Sequence, residues 1–310
     1  MQTEETNDEI IAVAGANGDL GGRITTELVR LGAKPRALVR KGSTASFPGA
    51  ETVMVDYNDP ASLLSACRGA HCVVSALSGL REVIVDAQTS LLTAAVDAGV
   101  PRFIPSDYCI DYTKLPEGSN RNLDLRRQFG HRLDAANIAA TSVLNGMFTD
   151  LLLKEAPLIQ AGLKRVLYWG KADQLLDFTT IDNTAAFTAR AAMDKDTPRY
   201  LRIAGDVVSS RDLAGAASRA TGHRFKPTKV GGLGFLKVMI TITKTLLPQP
   251  KEVFPPWQGM QYLYNMYTGL PKLYPLDNDR YPDMRWTTVK DVLQKGLTKE
   301  SRQLSAVKTG

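Results

Sequence analysis

The chain is poor in the residues that build covalent or metal frameworks: of 310 residues, three are cysteine and three are histidine. Cys67, Cys72 and Cys109 form no CxxC pair, and His71, His131 and His223 stand far apart, so no zinc-ligand spacing arises. All three histidines read as structural. A disulfide scaffold is excluded on the same ground, and a reducing, cytoplasmic setting is expected. No apolar run is long enough to span a bilayer; the nearest approach, Leu233 to Leu247, is short and carries Lys237 and Lys244. It is expected to pack on the protein as a helix or strand, with or without a ligand beside it. The opening residues, MQTEETNDE, lack the positive start and apolar stretch of a secretory leader. Basic runs are missing too. The net charge is +6 and the pI about 9.1, yet the lysines and arginines are scattered, so neither nucleic acid nor a membrane is expected as a partner. An anionic small ligand accounts for the excess equally well.

What is present is ordinary globular material, 44% hydrophobic and 23% charged, in a length that makes one large domain or two modest ones. Through the first half, short apolar runs alternate with helical patterns, the signature of βαβ units and a parallel sheet. Strands are expected at 10–14, 35–39, 52–55, 71–76, 102–104 and 141–144. Helices are expected at 23–31, 60–67 with Asp59 as N-cap, 82–98 and 123–136. Six strands in this rhythm make an α/β fold of the Rossmann kind, a doubly wound parallel sheet. After residue 150 the rhythm breaks. Strands are expected at 166–168, 177–180 and 200–203, and helices at 183–193 and 211–220, the latter capped by Ser209 or Ser210. The prolines and aromatics concentrate between 226 and 285, including Trp257, Tyr262, Tyr264, Tyr267 and Tyr274, as the lid of a cleft or as a second core. The last fifteen residues read as a loose basic tail.

Directly after the first strand comes Gly15-Ala-Asn17-Gly18-Asp19-Leu20-Gly21, a GxxGxxG spacing that leads into a helix. A loop without side chains admits a pyrophosphate to the backbone, and the helix N-terminus adds N–H donors and partial positive charge. The alternative is a mere tight turn. The second strand ends in Arg40-Lys41, where NAD-specific folds carry an acid for the ribose hydroxyls; two cations suit a 2′-phosphate instead, so NADP(H) is expected. The alternative is two solvated surface cations. Asp56 closes the third strand where it would meet the adenine, and Ser75, Ala76 and Leu77 end the fourth, where the cofactor crosses the sheet.

The segments GANGDLG, ALVR, AQTSLLTAAVDAGVPRFIPSD (Ala87 to Asp107) and AATSVLNGMF (Ala139 to Phe148) together resemble the NmrA-like and isoflavone-reductase-like atypical short-chain dehydrogenases. The resemblance is dense from residue 10 to 155 and thinner afterwards. It implies an NADP(H)-binding Rossmann domain over 1–155, completed by 175–208, with 156–174 and 209–310 forming a smaller substrate or partner domain. It also implies a reductase of small aromatic substrates, or else a non-catalytic cofactor sensor that binds a protein partner, in either case a monomer or homodimer. Pro105-Ser106-Asp107-Tyr108 stands where the family's reductases have Pro-Ser-Glu-Phe, along the nicotinamide. Asn145-Gly146-Met147-Phe148 stands where they have Asn-Cys-Phe. Their catalytic lysine lies twelve residues before the position of Ile138, and there the chain has Arg126. Arginine stays protonated under essentially all conditions, so Arg126 can polarise a carbonyl or hold nicotinamide ribose but is a poor acid or base. Otherwise Arg126 and Arg127 are a charged helix face. The YxxxK pair of other short-chain dehydrogenases does not occur, which leaves Tyr108 and Tyr112 as candidate proton donors.

Overall fold

Apolar runs without alternation mark strands covered on both faces, and the computed structural model, which describes residues 9–153, 156 and 158–296, joins six of them in one parallel sheet. In chain order the first half comprises β1 (Ile10–Ala14), α1 (Asp19–Arg30), β2 (Lys34–Arg40), β3 (Glu51–Val55), α2 (Pro60–Cys67) and β4 (Ala70–Ser75). There follow α3 (Gln88–Asp97), β5 (Arg102–Ile104), α4 (Arg121–Asp134), β6 (Ala139–Ala140), β7 (Ser142–Leu144) and β8 (Met147–Phe148). The second half holds β9 (Ile159–Gln160), β10 (Arg165–Trp169), β11 (Leu176–Thr179), α5 (Ile181–Met193), β12 (Tyr200–Arg202) and β13 (Asp206–Val208). It ends with α6 (Ser210–Thr221), β14 (Lys226–Gly231), α7 (Leu233–Leu246) and α8 (Pro256–Thr268). The spatial order β3-β2-β1-β4-β5-β6 reverses beside β1, the switch point at which a doubly wound sheet opens a crevice at its carboxyl edge.

Successive strand residues point to opposite faces, and each face has its own cover. Ile11 and Val13 pack with Ile24 and Leu28 of α1 and Phe187 of α5. Ala12 and Ala14 pack on the other side with Leu63 of α2, Leu91 of α3 and Phe129 of α4. Arg102 on β5 is buried and donates to the carbonyls of Ala191 (3.0 Å) and Ala192 (3.4 Å), so a fixed cation sits at the negative end of α5. Past Thr141, β7 continues β6 and pairs in parallel with β12, while β8 pairs with β11, which pairs antiparallel with β13. A third core, with Leu144, Trp169, Phe178, Leu213 and Tyr267, lies beneath the C-terminal helices.

The helix expected over 82–98 opens with a wider π turn from Glu82 to Ala87. Gln88 is the physical reason: its side-chain Nε2 donates to the Ile84 carbonyl at 2.7 Å, taking the acceptor that its own backbone N–H would use, and that N–H bonds Val83 instead. Leu233–Leu246 resolves as a helix, and the short strands β8, β9, β13 and β14 and the helix α8 were not expected from the sequence. The basic tail lies almost wholly outside the described residues, as does the N-terminal stretch before Glu9. Among the described residues no helix is long and apolar enough to cross a membrane.

Candidate functional site

The glycine loop is shaped by its backbone. Gly15 has φ +80°, and a Cβ there would lie 2.7 Å from the Ala76 carbonyl oxygen; a Cβ on Gly21 would lie 2.2 Å from the Gly15 oxygen. Both positions need glycine for the turn itself. Gly18 differs, having an ordinary φ of −78° and one neighbour within 4 Å of a would-be Cβ, the Gly15 carbonyl oxygen at 3.3 Å, so a side chain there asks for a shift of a few tenths of an ångström and no left-handed backbone. No side chain caps α1, which leaves its first-turn N–H groups free for an anion. Asp19, expected at the cofactor, is held by the Arg23 guanidinium at 2.7 Å, and Arg23 also bridges to Asp182 on α5. These two acids raise the Arg23 pKa above its ordinary value. Asn17 donates to Ser43 at 2.7 Å and ties the loop to the segment after β2. A cleft of about 480 Å³ opens here, lined by Gly18, Asp19, Gly22, Arg23, Phe47 and Asp182.

Arg40 and Lys41 are both exposed at the carboxyl end of β2, beside Asp56, which is likewise exposed and accepts from the Asn58 N–H at 2.9 Å. Ser75 is fully buried at the end of β4 with its hydroxyl unpartnered. The next strand is latched to it, because the Ser106 hydroxyl donates to the Leu77 carbonyl at 2.6 Å and the Ser106 N–H donates to Gln88 Oε1 at 2.8 Å. The sequence therefore places Ser75, Ala76, Leu77, Ser106 and Asp107 on one edge.

Asp107 is buried, and its Oδ2 accepts from the Tyr112 hydroxyl (2.8 Å) and the Ser142 hydroxyl (2.7 Å). Its Oδ1 has no partner. Burial raises the Asp107 carboxyl above the usual range, against the pull of Ser142, Arg126 and Tyr112. Ser142 in turn accepts from Arg199, which is paired with Asp134 at 2.7 Å. Arg126 reaches toward the same place from α4, with Nη1 on the Asn122 carbonyl at 3.2 Å and Nε buried without a partner. Burial alone would depress its pKa, but Tyr262, Cys109 and Asp107 outweigh it and the net shift is upward, so the charge is fixed. Arg127 is no surface cation either: its Nη2 donates to the carbonyls of Tyr112 (2.6 Å) and Leu115 (2.8 Å), clamping the loop after β5.

One expectation is corrected. Tyr108 is no proton donor, because its ring lies in the core with Ile11, Val13, Cys72 and Phe187, and burial drives its pKa far up. Gly146, expected at the cofactor, has a packing reason of its own to be glycine: its φ is +71°, and a Cβ would stand 2.4 Å from the Asp177 carbonyl oxygen. Tyr112 is spoken for by Asp107. Asn145 is buried, donates to Thr184 at 3.3 Å and keeps Oδ1 without a partner; Met147 and Phe148 follow it, part-buried, in β8.

Nothing in the sequence assigns Tyr262 a role beyond the aromatic stretch. It lies on α8 between Gln258 and Asn265, at helical spacings of four and three, and both of those side chains bond Asn120, the N-cap of α4 (2.6 and 3.2 Å). Arg121 stacks 4.7 Å over Trp257 and fixes the same junction. Tyr262 thus faces the α4 side that carries Asn122 and Arg126. Burial pushes its phenol up to about 12, and Arg126 holds it from going further. The signal that could have found it is only the helical register of Trp257, Gln258, Gln261 and Tyr262, since Arg126 is distant in sequence.

Ser75 Oγ, Asp107 Oδ1 and Asn145 Oδ1, each just at or past the end of a strand, and Arg126 Nε on α4 are among the buried polar atoms without a protein partner. Orphaned groups of this kind call for a polar ligand, and with the bare glycine loop they fit a dinucleotide. Known proteins were compared with this chain. It is 28% identical over 313 aligned residues to an isoflavone reductase homologue from Zea mays, covering 93% of this chain and 98% of that one. It is 26% identical to a bifunctional pinoresinol-lariciresinol reductase from Linum album, covering 80% and 78%. Among solved structures, AtPrR2 with NADP+ and (+)pinoresinol superposes with a TM-score of 0.77 at 23% identity, over 93% of this chain and 98% of that one. The binary complex of leucoanthocyanidin reductase with NADPH from Vitis vinifera gives 0.76 at 16%, over 93% and 99%. These likenesses share the Rossmann-type fold described above. The model of the NmrA-like family matches residues 7–270, and the chain belongs to that family.

Proposed function

We propose that the protein is an NADPH-dependent reductase of a small aromatic or conjugated substrate. The observation that carries this reading is the combination of a bare glycine loop, a part-buried cation at Arg126 and unpartnered polar atoms at the strand ends. Of the proteins named above, the Linum album and Vitis vinifera ones are reductases by name, the Zea mays one is an isoflavone reductase homologue, and two structures were solved with NADP+ or NADPH. The backbone of Gly15 to Gly21 would hold the pyrophosphate, Arg40 and Lys41 the 2′-phosphate, and Asp56 the adenine edge. Ser75, Ala76, Leu77, Ser106, Asp107, Asn145, Met147 and Phe148 would border the nicotinamide. NADPH, when bound, supplies a hydride.

Arg126 then stabilises the negative charge that develops on the substrate, as an oxyanion donor does. It cannot surrender a proton. Tyr262, whose phenol stays protonated at neutral pH and faces Arg126, supplies the proton to that oxygen and is reprotonated from water. Loss of NADPH absorbance over a panel of aromatic ketones, enones and quinones tests the assignment. Arg126→Ala should lower kcat/KM by roughly a hundred- to a thousandfold, and Tyr262→Phe should lower kcat with little change in KM. Turnover indifferent to Arg126→Ala removes that residue from the mechanism. The arginine at the lysine position favours a second reading, a cofactor sensor whose affinity for a protein partner changes with NADPH; a panel without any turnover selects it. We place the protein in the cytoplasm, a reducing setting that three buried free cysteines support.

A further inference from the structure

α7 shows apolar residues on two opposite sides. Leu236 and Ile240 are buried against the protein, whereas Phe235 (49% exposed), Val238 (55%), Ile242 (46%) and Leu246 (72%) form an outward stripe at helical spacing. Among the described residues nothing covers it, and exposed Leu247 and Phe254 extend the apolar surface beyond the helix. The surrounding sequence has charge of one sign. From Leu213 through Lys251 there is no aspartate or glutamate, while lysine and arginine occur seven times, more positive charge than the +6 of the whole chain. Lys226, Lys229, Lys237 and Lys251 are exposed.

A second copy of the chain is a poor occupant of this surface. Two-fold association sets a patch against itself, which would confront these cations with their own image and no acid between. The occupant must offer an apolar layer and negative charge together. An anionic bilayer does so: acyl chains accept the stripe, and acidic headgroups meet the lysines, which extend up from their stems. We infer that α7 seats the protein on an anionic membrane surface as a peripheral, reversible contact. This departs from the expectation drawn from scattered charge along the chain, because the acids that dilute those lysines in the whole sequence are missing from this segment. The contact adjoins the candidate site, since α7 packs on α8, the helix that carries Tyr262.

Co-sedimentation of the full chain with vesicles tests this, comparing pure phosphatidylcholine with phosphatidylcholine carrying phosphatidylserine, at low and high salt. Wild type should sediment with the anionic vesicles only, and less so at high salt. A Val238→Asp/Ile242→Asp chain, and separately a Lys229→Gln/Lys237→Gln chain, should each lose partitioning on the order of tenfold. NADPH affinity is read alongside and should stay at the wild-type value in both, which shows that the variants fold. No sedimentation with anionic vesicles overturns the inference, as does equal binding to both lipids. Binding that survives Val238→Asp/Ile242→Asp leaves only charge adsorption and also overturns it. So does a wild-type dimer, seen by sedimentation velocity, that those aspartates dissociate, or RNA binding that outcompetes the vesicles.

Discussion

Gly15 and Gly18 are alike in the sequence and unlike in what they do. Gly15→Ala would force a side chain into a left-handed backbone and against the Ala76 carbonyl, so we expect destabilisation of about 1–3 kcal/mol in denaturant melts. Gly18→Val should lower the melt far less than Gly15→Ala and abolish NADPH binding by titration, since the branched side chain would stand where the pyrophosphate is proposed to lie. A valine chain that still binds NADPH makes the loop a turn and nothing more. Asp107 offers a second test. Burial lifts its pKa, so the folded chain holds this proton more tightly than the unfolded one. Its contribution to stability is then greatest below about pH 4, the unfolded value, and is lost as the pH rises through the raised folded value. Asp107→Asn removes that dependence, and its Tm relative to wild type should climb as the pH rises from about 4 toward neutrality. A flat difference means the carboxyl titrates normally. Backbone-driven residues such as Gly15 and Gly21 were legible because their chemistry is local. Tyr108 and Tyr262 were not: which way a loop tyrosine turns, and which helix meets Arg126, depend on partners far along the chain.

At the level of elements, the parts with their own start signals are the ones the sequence located well. Pro60–Cys67 has its boundaries set by Asp59, which accepts from the Ala61 N–H at 3.0 Å, and by the proline behind it. α6 carries a reciprocal capping box between Ser209 and Asp212, which settles the choice between the two serines. Ser209→Ala should therefore cost about 1 kcal/mol, lowering Tm by about 1.5 °C in a chain of 310 residues; no change would mean the cap is redundant. Elements defined by a distant partner were hidden. β8, β9 and β13 are two or three residues long and exist only by pairing, and strand six divides at Thr141 because its first part pairs with β5 and its second with β12. The π turn before α3 was equally invisible, being made by one glutamine side chain.

For the molecule as a whole, a cofactor that binds only the folded chain should stabilise it. NADPH at about a hundred times its Kd adds about 2.7 kcal/mol, a rise in Tm of about 4 °C, while NADH at the same concentration should give far less. Arg40→Ala should weaken NADPH about ten- to a hundredfold and remove most of the shift in a thermal melt. Equal shifts from the two nucleotides in wild type refute the NADPH assignment. The pairing of β7 with β12 bears on how the chain is made. Ser142 bonds Arg199, and Leu144 bonds Ile203, across a gap of more than fifty residues. At ordinary synthesis rates β7 emerges from the ribosome roughly 3–11 s before its partner, and in that interval the sheet ends in an open row of backbone donors and acceptors. The half-made protein is thus at its stickiest when its Rossmann half looks finished, and this interval is when a nascent-chain chaperone matters most to its yield.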